Sequence, residues 1–262
     1  MVTLKKSLGQ HFLTDGNICR KIVSSLPPQA HNRLLEVGPG GGALTKFLLE
    51  MPLKDFKAVE IDDDKVQLLL NTFPQLQNRL IHASFLDIEP PFTEPFYVVG
   101  NFPYNISTQI LFKLLDWPGL VTGVVGMFQK EVALRVAAPE GSKTYGVTSV
   151  LVQAFYDVTY LFEVHENCFQ PPPKVKSAVI QLTPKEHPPA ISSRNAFFLL
   201  VKTAFNQRRK TLRNAVKNLF SADYLQDSIF NKRAEQLSVN DFAALSFKMN
   251  NHATGVDYSQ GT

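Results

Sequence analysis

Along the first two thirds of the chain, short apolar runs alternate with segments whose hydrophobic residues recur every three or four positions. Residues 33–37, 56–60, 79–82, 96–99 and 121–127 read as strands, apolar and bounded by turn residues. Helical spacing fills the gaps over 43–50, through Val66, Leu69 and Leu70, and over 107–115. This alternation predicts an α/β fold, a mostly parallel doubly wound sheet that binds ligands at the carboxyl ends of its strands. Two later runs, 158–164 and 177–182, have no helix between them and predict an antiparallel edge. After Pro188 and Pro189 the pattern turns helical. Leu212, Ala215, Val216 and Leu219 share one face of a helix expected over 211–219, with Lys210, Arg213 and Lys217 opposite. The chain thus divides into residues 1–185, a large α/β domain, and residues 186–262, a small all-helical domain with one basic side. The tail over 250–262 reads as disordered.

Composition narrows the class. With 262 residues, 44% hydrophobic and 19% charged, the chain is long enough to bury a sizeable core. Lys5 and Lys6 are followed by Gly9, Gln10 and His11, so no secretory apolar region forms there. The longest charge-free run, 95–112, holds Pro95, Asn101, Pro103, Asn105 and Gln109, which excludes a membrane span. Cys19 and Cys168 stand far apart without clustered histidines, against a disulfide framework and a zinc site; a reducing cytoplasm is expected. The formal net charge is +4, and its excess is C-terminal. Lys+Arg and Asp+Glu balance at 17 each up to Lys185, against 10 and 6 beyond it. Lys202, Arg208, Arg209, Lys210, Arg213 and Lys217 occur with no acid between them, a block suited to neutralising phosphates. The competing reading is a solvated helix face.

Glu36-Val-Gly-Pro-Gly-Gly-Gly-Ala-Leu-Thr45 lies between a predicted strand and a predicted helix, where glycines let the backbone approach a nucleotide-like ligand. Its spacing is not the G-x-G-x-x-G of dinucleotide binders, and Pro39 and Glu36 do not suit a pyrophosphate cradle. Glu60 ends the next strand, where a carboxylate accepts hydrogen bonds from ribose hydroxyls. An adenosyl ligand without phosphates fits, and S-adenosylmethionine is one. The competing reading makes Glu36 and Glu60 surface acids at strand ends.

Gly100-Asn101-Phe102-Pro103-Tyr104-Asn105-Ile106-Ser107 follows the strand at 96–99, at the same sheet edge. An exocyclic adenine amine is a poor nucleophile because its lone pair is delocalised into the ring. Two acceptors, the Asn101 side-chain carbonyl and the Pro103 backbone carbonyl, can hold its N–H groups while Tyr104 stacks on the base, an interaction worth about 1–3 kcal/mol. Methyl transfer then needs orientation and field rather than a side-chain nucleophile. The proton leaves to water, and no general base is assigned. The competing reading is a proline-kinked loop with a core tyrosine.

With these motifs in place the chain resembles the bacterial small-subunit ribosomal RNA adenine dimethyltransferase family. Lys5 to Leu13, Glu36 to Thr45, Val59 to Asp62 and Asn101 to Ser107 are similar to that family's motifs. So are Phe128 to Arg135, Gly141 to Gly146, Phe169 to Val179 and Arg208 to Asn214, in the same order along the chain. The family also includes adenine methyltransferases acting on large-subunit ribosomal RNA, but the Phe169 to Val179 and Arg208 to Asn214 segments resemble the small-subunit enzymes more closely. The resemblance implies a Rossmann-like S-adenosylmethionine-dependent methyltransferase fold with a small helical, RNA-binding domain. It implies dimethylation of the 6-amino groups of two adjacent adenosines in the loop near the 3′ end of 16S ribosomal RNA, on an immature small subunit during ribosome biogenesis, with S-adenosylhomocysteine as product. Residue by residue, it puts His11, Leu13, Gly38 and Glu60 at the cofactor and Asn101 at both cofactor and target amine. Pro103 and Tyr104 complete the target pocket, and Phe169 flanks the extruded base. Arg208, Arg209, Lys210, Arg213 and Lys217 are expected to grip ribosomal RNA. One position departs from the family pattern: Ser84 stands where an aspartate usually accepts the cofactor's adenine amine, so weaker binding by about 1 kcal/mol is expected.

Two other readings compete. A non-catalytic ribosome assembly factor on this fold would have lost its catalytic loop, whereas Asn101, Pro103, Tyr104 and Glu60 are all present. A nicotinamide-dependent oxidoreductase would need the dinucleotide fingerprint that the glycine loop lacks. A cytoplasmic monomer is expected.

Overall fold

The computed structural model describes residues 12–250. His11 and most of the N-terminal motif lie outside the described residues, as does the tail beyond Asn250.

The strands are β1 (Phe12–Leu13), β2 (Arg33–Val37), β3 (Asp55–Glu60), β4 (Leu80–His82), β5 (Phe96–Asn101), β6 (Val121–Gln129), β7 (Tyr156–Val164), β8 (Phe169–Gln170) and β9 (Ser177–Pro184). The helices are α1 (Gly16–Ser24), α2 (Thr45–Leu48), α3 (Asp63–Thr72), α4 (Ser107–Leu115), α5 (Lys130–Val136), α6 (Val147–Gln153), α7 (Arg194–Phe205), α8 (Leu212–Ala215) and α9 (Val239–Ser246), with short 3-10 turns among them. Seven strands form one sheet in the order β4-β3-β2-β5-β6-β9-β7. The first five are parallel neighbours, and β9 runs antiparallel to β6, in keeping with the helix-free stretch before it. β1 and β8 pair separately and antiparallel. In β2, β5 and β6 nearly every residue is buried, because a sheet covered on both faces needs apolar side chains in both directions. The strand order reverses at β2, with β3 on one side and β5 on the other. A ligand crevice therefore opens at the carboxyl ends of β2 and β5.

Two helical expectations contract. The helix expected over 43–50 is only α2, since Gly40 and Gly42, at φ +57° and +84°, hold the residues before it in turns. The helix expected over 211–219 is only the single turn α8, because Val216 leaves helical geometry at φ −114°, ψ 15°. The apolar spacing still works: Leu212, Val216 and Leu219 are buried.

The chain forms two compact units. One runs to Ala133 and resumes at Asp157–Pro184; the other joins Leu134–Tyr156 to the chain from Lys185 onward. A boundary at 185 therefore misplaces 134–156. The physical cause is α6, in which Thr148 to Val152 are all buried, and which packs on α7 and α9. Such a segment needs apolar neighbours on every side and finds them among the C-terminal helices. No helix of the described residues is long and apolar enough to cross a membrane.

Candidate active site

At the carboxyl ends of β2 to β5 lies a cleft of about 270 Å³. Each strand contributes a residue at or just past its end: Gly38 after β2, Glu60 on β3, Ser84 after β4 and Asn101 on β5. Gly38 adopts φ +69° and Gly40 φ +57°, a region L side chains rarely enter, so the loop holds its shape only with glycine there. The Glu60 carboxylate ties the loop to its own strand end. Its Oε2 accepts from Gly40 N at 3.0 Å, and its Oε1 accepts from Ile61 N and Asp62 N at 2.9 and 3.0 Å. A carboxylate has about four acceptor sites, so Oε2 keeps capacity for a ligand hydroxyl.

Glu36 also lines the cleft, 1% exposed, and its Oε2 accepts from the Thr45 hydroxyl at 2.7 Å. Burial pushes its carboxyl up to about 8, with the Thr45 bond opposing and the nearby Glu60 charge adding to the rise. It is not a surface acid.

Asn101 to Tyr104 form the facing wall. Phe102 is fully buried behind it, in a slot only glycine permits. A Cβ on Gly126 would stand 2.3 Å from the Phe102 ring, and one on Gly100 would stand 2.7 Å from it. With Phe102 wedged there, Asn101 and Pro103 are left on the cleft side. The Pro103 carbonyl accepts from Ile106 N at 3.2 Å and keeps its second lone pair. Tyr104 is bound at both ends: its carbonyl accepts from Ser107 Oγ at 3.2 Å, and its phenol oxygen lies 2.5 Å from the hydroxyl of Ser177. Burial raises the phenol's pKa, against the Ser177 bond, which lowers it.

The structure thus brings Leu13, Gly38, Glu60, Ser84, Asn101, Pro103 and Tyr104 to one cleft. Phe169 does not join them. It is 2% exposed and packs with Leu13 in the core, because its register in β8 opposite β1 turns it inward. The place expected for it beside an extruded base is thus not on the wall of this cleft. The five basic residues lie in the second unit, none lining the cleft, and they do not behave alike. Arg209, Lys210 and Lys217 are exposed. Arg208 is exposed as well but donates from Nη2 to the carbonyls of Lys143 and Tyr145, at 2.7 and 3.3 Å, while Arg213 is half-buried with its Nε out of contact with solvent. Sequence reasoning missed Thr45, Ser177 and the exposed Ile61 on the cleft wall. Thr45 and Ser177 did stand inside quoted motifs, which was the available signal.

The lining fits an adenosyl sulfonium better than a nucleotide. Among the described residues no Lys, Arg or His lines the cleft, which leaves no cationic side chain to neutralise phosphate, while the Glu60 carboxylate suits a ligand carrying positive charge.

Comparison with known proteins agrees. The family described as ribosomal RNA adenine dimethylase matches residues 1–251. Over 249 residues the chain is 50% identical to ribosomal RNA small subunit methyltransferase A of Cytophaga hutchinsonii, covering 94% of this chain and 96% of that one. Its identity to the protein of the same name from Flavobacterium johnsoniae is 48% over 252 residues, 95% and 96% of the two chains. Among solved structures, a dimethyladenosine transferase from Plasmodium falciparum is similar at a TM-score of 0.74 and 26% identity, covering 91% of this chain and 99% of that one.

Proposed function

Because the chain belongs to the ribosomal RNA adenine dimethylase family, we propose that it uses S-adenosylmethionine to dimethylate the 6-amino groups of two adjacent adenosines near the 3′ end of 16S ribosomal RNA. Its substrate is an immature small subunit, and it acts as a cytoplasmic monomer. The observation that carries the reading is a single cleft holding the glycine loop on one wall and Asn101, Pro103 and Tyr104 on the other.

When bound, S-adenosylmethionine supplies an activated methyl group and leaves as S-adenosylhomocysteine. Glu60 would hold its ribose through the free capacity of Oε2, the glycine loop at Gly38 would let it lie close to the backbone, and Ser84 would accept from its adenine amine. The target base is extruded, since a stacked amine is out of reach. Asn101 and the Pro103 carbonyl accept its two N–H groups and Tyr104 stacks on its ring. These residues orient the nitrogen and exclude water, a contribution of orientation and field. Arg209, Lys210 and Lys217 neutralise RNA phosphates.

The test is transfer of labelled methyl to undermethylated small ribosomal subunits, comparing the unaltered chain with Asn101→Ala. Label in dimethyladenosine that disappears in the variant supports both reaction and site. Label that survives keeps the reaction and removes Asn101 from it, and subunit binding without any methylation favours a non-catalytic assembly factor.

A further inference from the structure

We infer that Ser177 is a positioning residue for the second of the two methyl transfers to each adenosine, acting through Tyr104; this rests on the function proposed above. The geometry is specific. Ser177 is fully buried at the start of β9, 73 residues from Tyr104 along the chain, and its Oγ lies 2.5 Å from the Tyr104 phenol oxygen. Tyr104 itself sits in a turn between β5 and α4, outside both elements. Its ring therefore depends on what holds its far end.

That holder is firm. Ser177 pairs with Gln129 in the β6–β9 ladder, and Lys130 N donates to the Lys176 carbonyl at 2.9 Å. From β7, the Glu163 carboxylate receives Lys130 Nζ at 2.5 Å and Lys176 Nζ at 2.7 Å. Those two lysines hold the Glu163 carboxyl down to about 2. The Ser177–Gln129 pair is thus held by the ladder on one side, where Phe128 pairs with Ala178, and by backbone and charge at Lys130 and Lys176 on the other.

The chemistry of dimethylation gives this tether unequal work. In the first transfer the amine has two N–H groups for two acceptors, Asn101 and the Pro103 carbonyl, and both hold it. In that step the nitrogen forms a bond to the donor methyl, the carbon–sulfur bond breaks with its electron pair left on sulfur, and one N–H proton goes to water. The monomethylated nitrogen then carries one N–H, so one of the two acceptors has nothing to hold. The second transfer repeats the same bond changes with half the hydrogen bonding, and the stacking plane of Tyr104 becomes the main constraint on the base. Release of the phenol from Ser177 lets the ring swing, and misplacement of about 1 Å costs up to a hundredfold in rate.

The experiment follows both transfers on undermethylated small subunits, for the unaltered chain, Ser177→Ala, Tyr104→Phe and the double variant. A second readout, independent of activity, is NMR of the full chain with 13C-labelled tyrosine, in which the Tyr104 signal among seven tyrosines is identified by its loss in Tyr104→Phe. For Ser177→Ala the expected result is a first transfer within about threefold of normal and a second slowed about tenfold or more, so that monomethyladenosine accumulates; for Tyr104→Phe it is a lower ratio of second to first transfer. The double variant should be no worse than either single one, as for two halves of one bond. In Ser177→Ala the Tyr104 ring signal should shift and report faster ring motion. Equal slowing of both transfers, additive losses, or an unmoved Tyr104 signal would each overturn the inference. If Ser177→Ala does not fold, Tyr104→Phe breaks the same bond from the other side and carries the test. No methylation by the unaltered chain would remove the proposed function, and this inference with it.

Discussion

The cleft of the first unit and the basic segment of the second were both marked in the sequence by residue type, yet the cleft gathers all its expected residues among those described except Phe169, while the basic segment divides. The cleft is made by backbone: glycines at positive φ, a proline turn, and acids and amides at the ends of parallel strands. Such features are dictated locally, so the residues announce the geometry. The basic segment was defined by charge and spacing alone, and its cations divide. Arg209, Lys210 and Lys217 face solvent, Arg208 braces two carbonyls, and Arg213 is half-buried. A run of positive charge records composition; which charges remain available is settled by the neighbours they meet.

The largest effect that would sharpen this contrast lies in the cleft. Asn101→Ala should lower kcat for methyl transfer by about 10²–10³, the cost of losing one preorganised polar group. Melting temperature should hold, since Asn101 sits on the cleft wall. A tenfold loss or less would make the cleft as permissive as the surface, and the contrast would fail.

Next come the arginines. Arg208→Ala should destabilise the protein by about 0.5–1.5 kcal/mol, because the carbonyls of Lys143 and Tyr145 exchange a charged donor for water. Arg209→Ala, Lys210→Ala and Lys217→Ala should each leave stability alone and flatten the salt dependence of subunit binding by about 1 in slope. Denaturation and salt titration of the four variants check this directly. Identical behaviour of Arg208 and Arg209 would restore the uniform basic block that the acid-free run of charge suggested.

Glu36 sharpens the comparison from the side of pH. Its carboxyl is raised to about 8 by burial, far above the carboxylate range of an unfolded chain, so the folded state binds the proton more tightly. This contribution is fully present below the unfolded pKa. It is lost as pH rises toward about 8, at up to about 1.4 kcal/mol per pH unit. Glu36→Gln keeps the shape of the protonated acid and should flatten stability between pH 5 and 8. An unchanged pH profile by thermal denaturation would mean that Glu36 is solvated in the folded protein.

Much of this was legible in the chain. Strands β2 to β6 follow from apolar runs between turn residues, and α4 agrees with its periodicity residue for residue. What was not legible depended on distant partners. The placement of 134–156 with the C-terminal helices follows from contacts that α6 finds with α7 and α9. The inward turn of Phe169 follows from pairing with Leu13 across more than half the chain. The bond between Tyr104 and Ser177 joins two motifs that carry no mark of each other.

The smallest expected effect concerns Ser84, where the cleft itself departs from its family pattern. Ser84 lines the cleft, and its hydroxyl oxygen already accepts from Leu86 N at 3.3 Å. Asp87, the nearest acid, is exposed and does not line the cleft, so it offers no substitute acceptor. A neutral hydroxyl shared with a backbone amide is a weaker acceptor for an adenine amine than a carboxylate. Ser84→Ala should therefore weaken S-adenosylmethionine binding by about 1 kcal/mol, roughly fivefold, and Ser84→Asp should tighten it by a similar amount. Calorimetry on the full chain reads both. Equal affinity in all three proteins would place the adenine elsewhere in the cleft and would leave Glu60 and the glycine loop as the groups that set cofactor affinity.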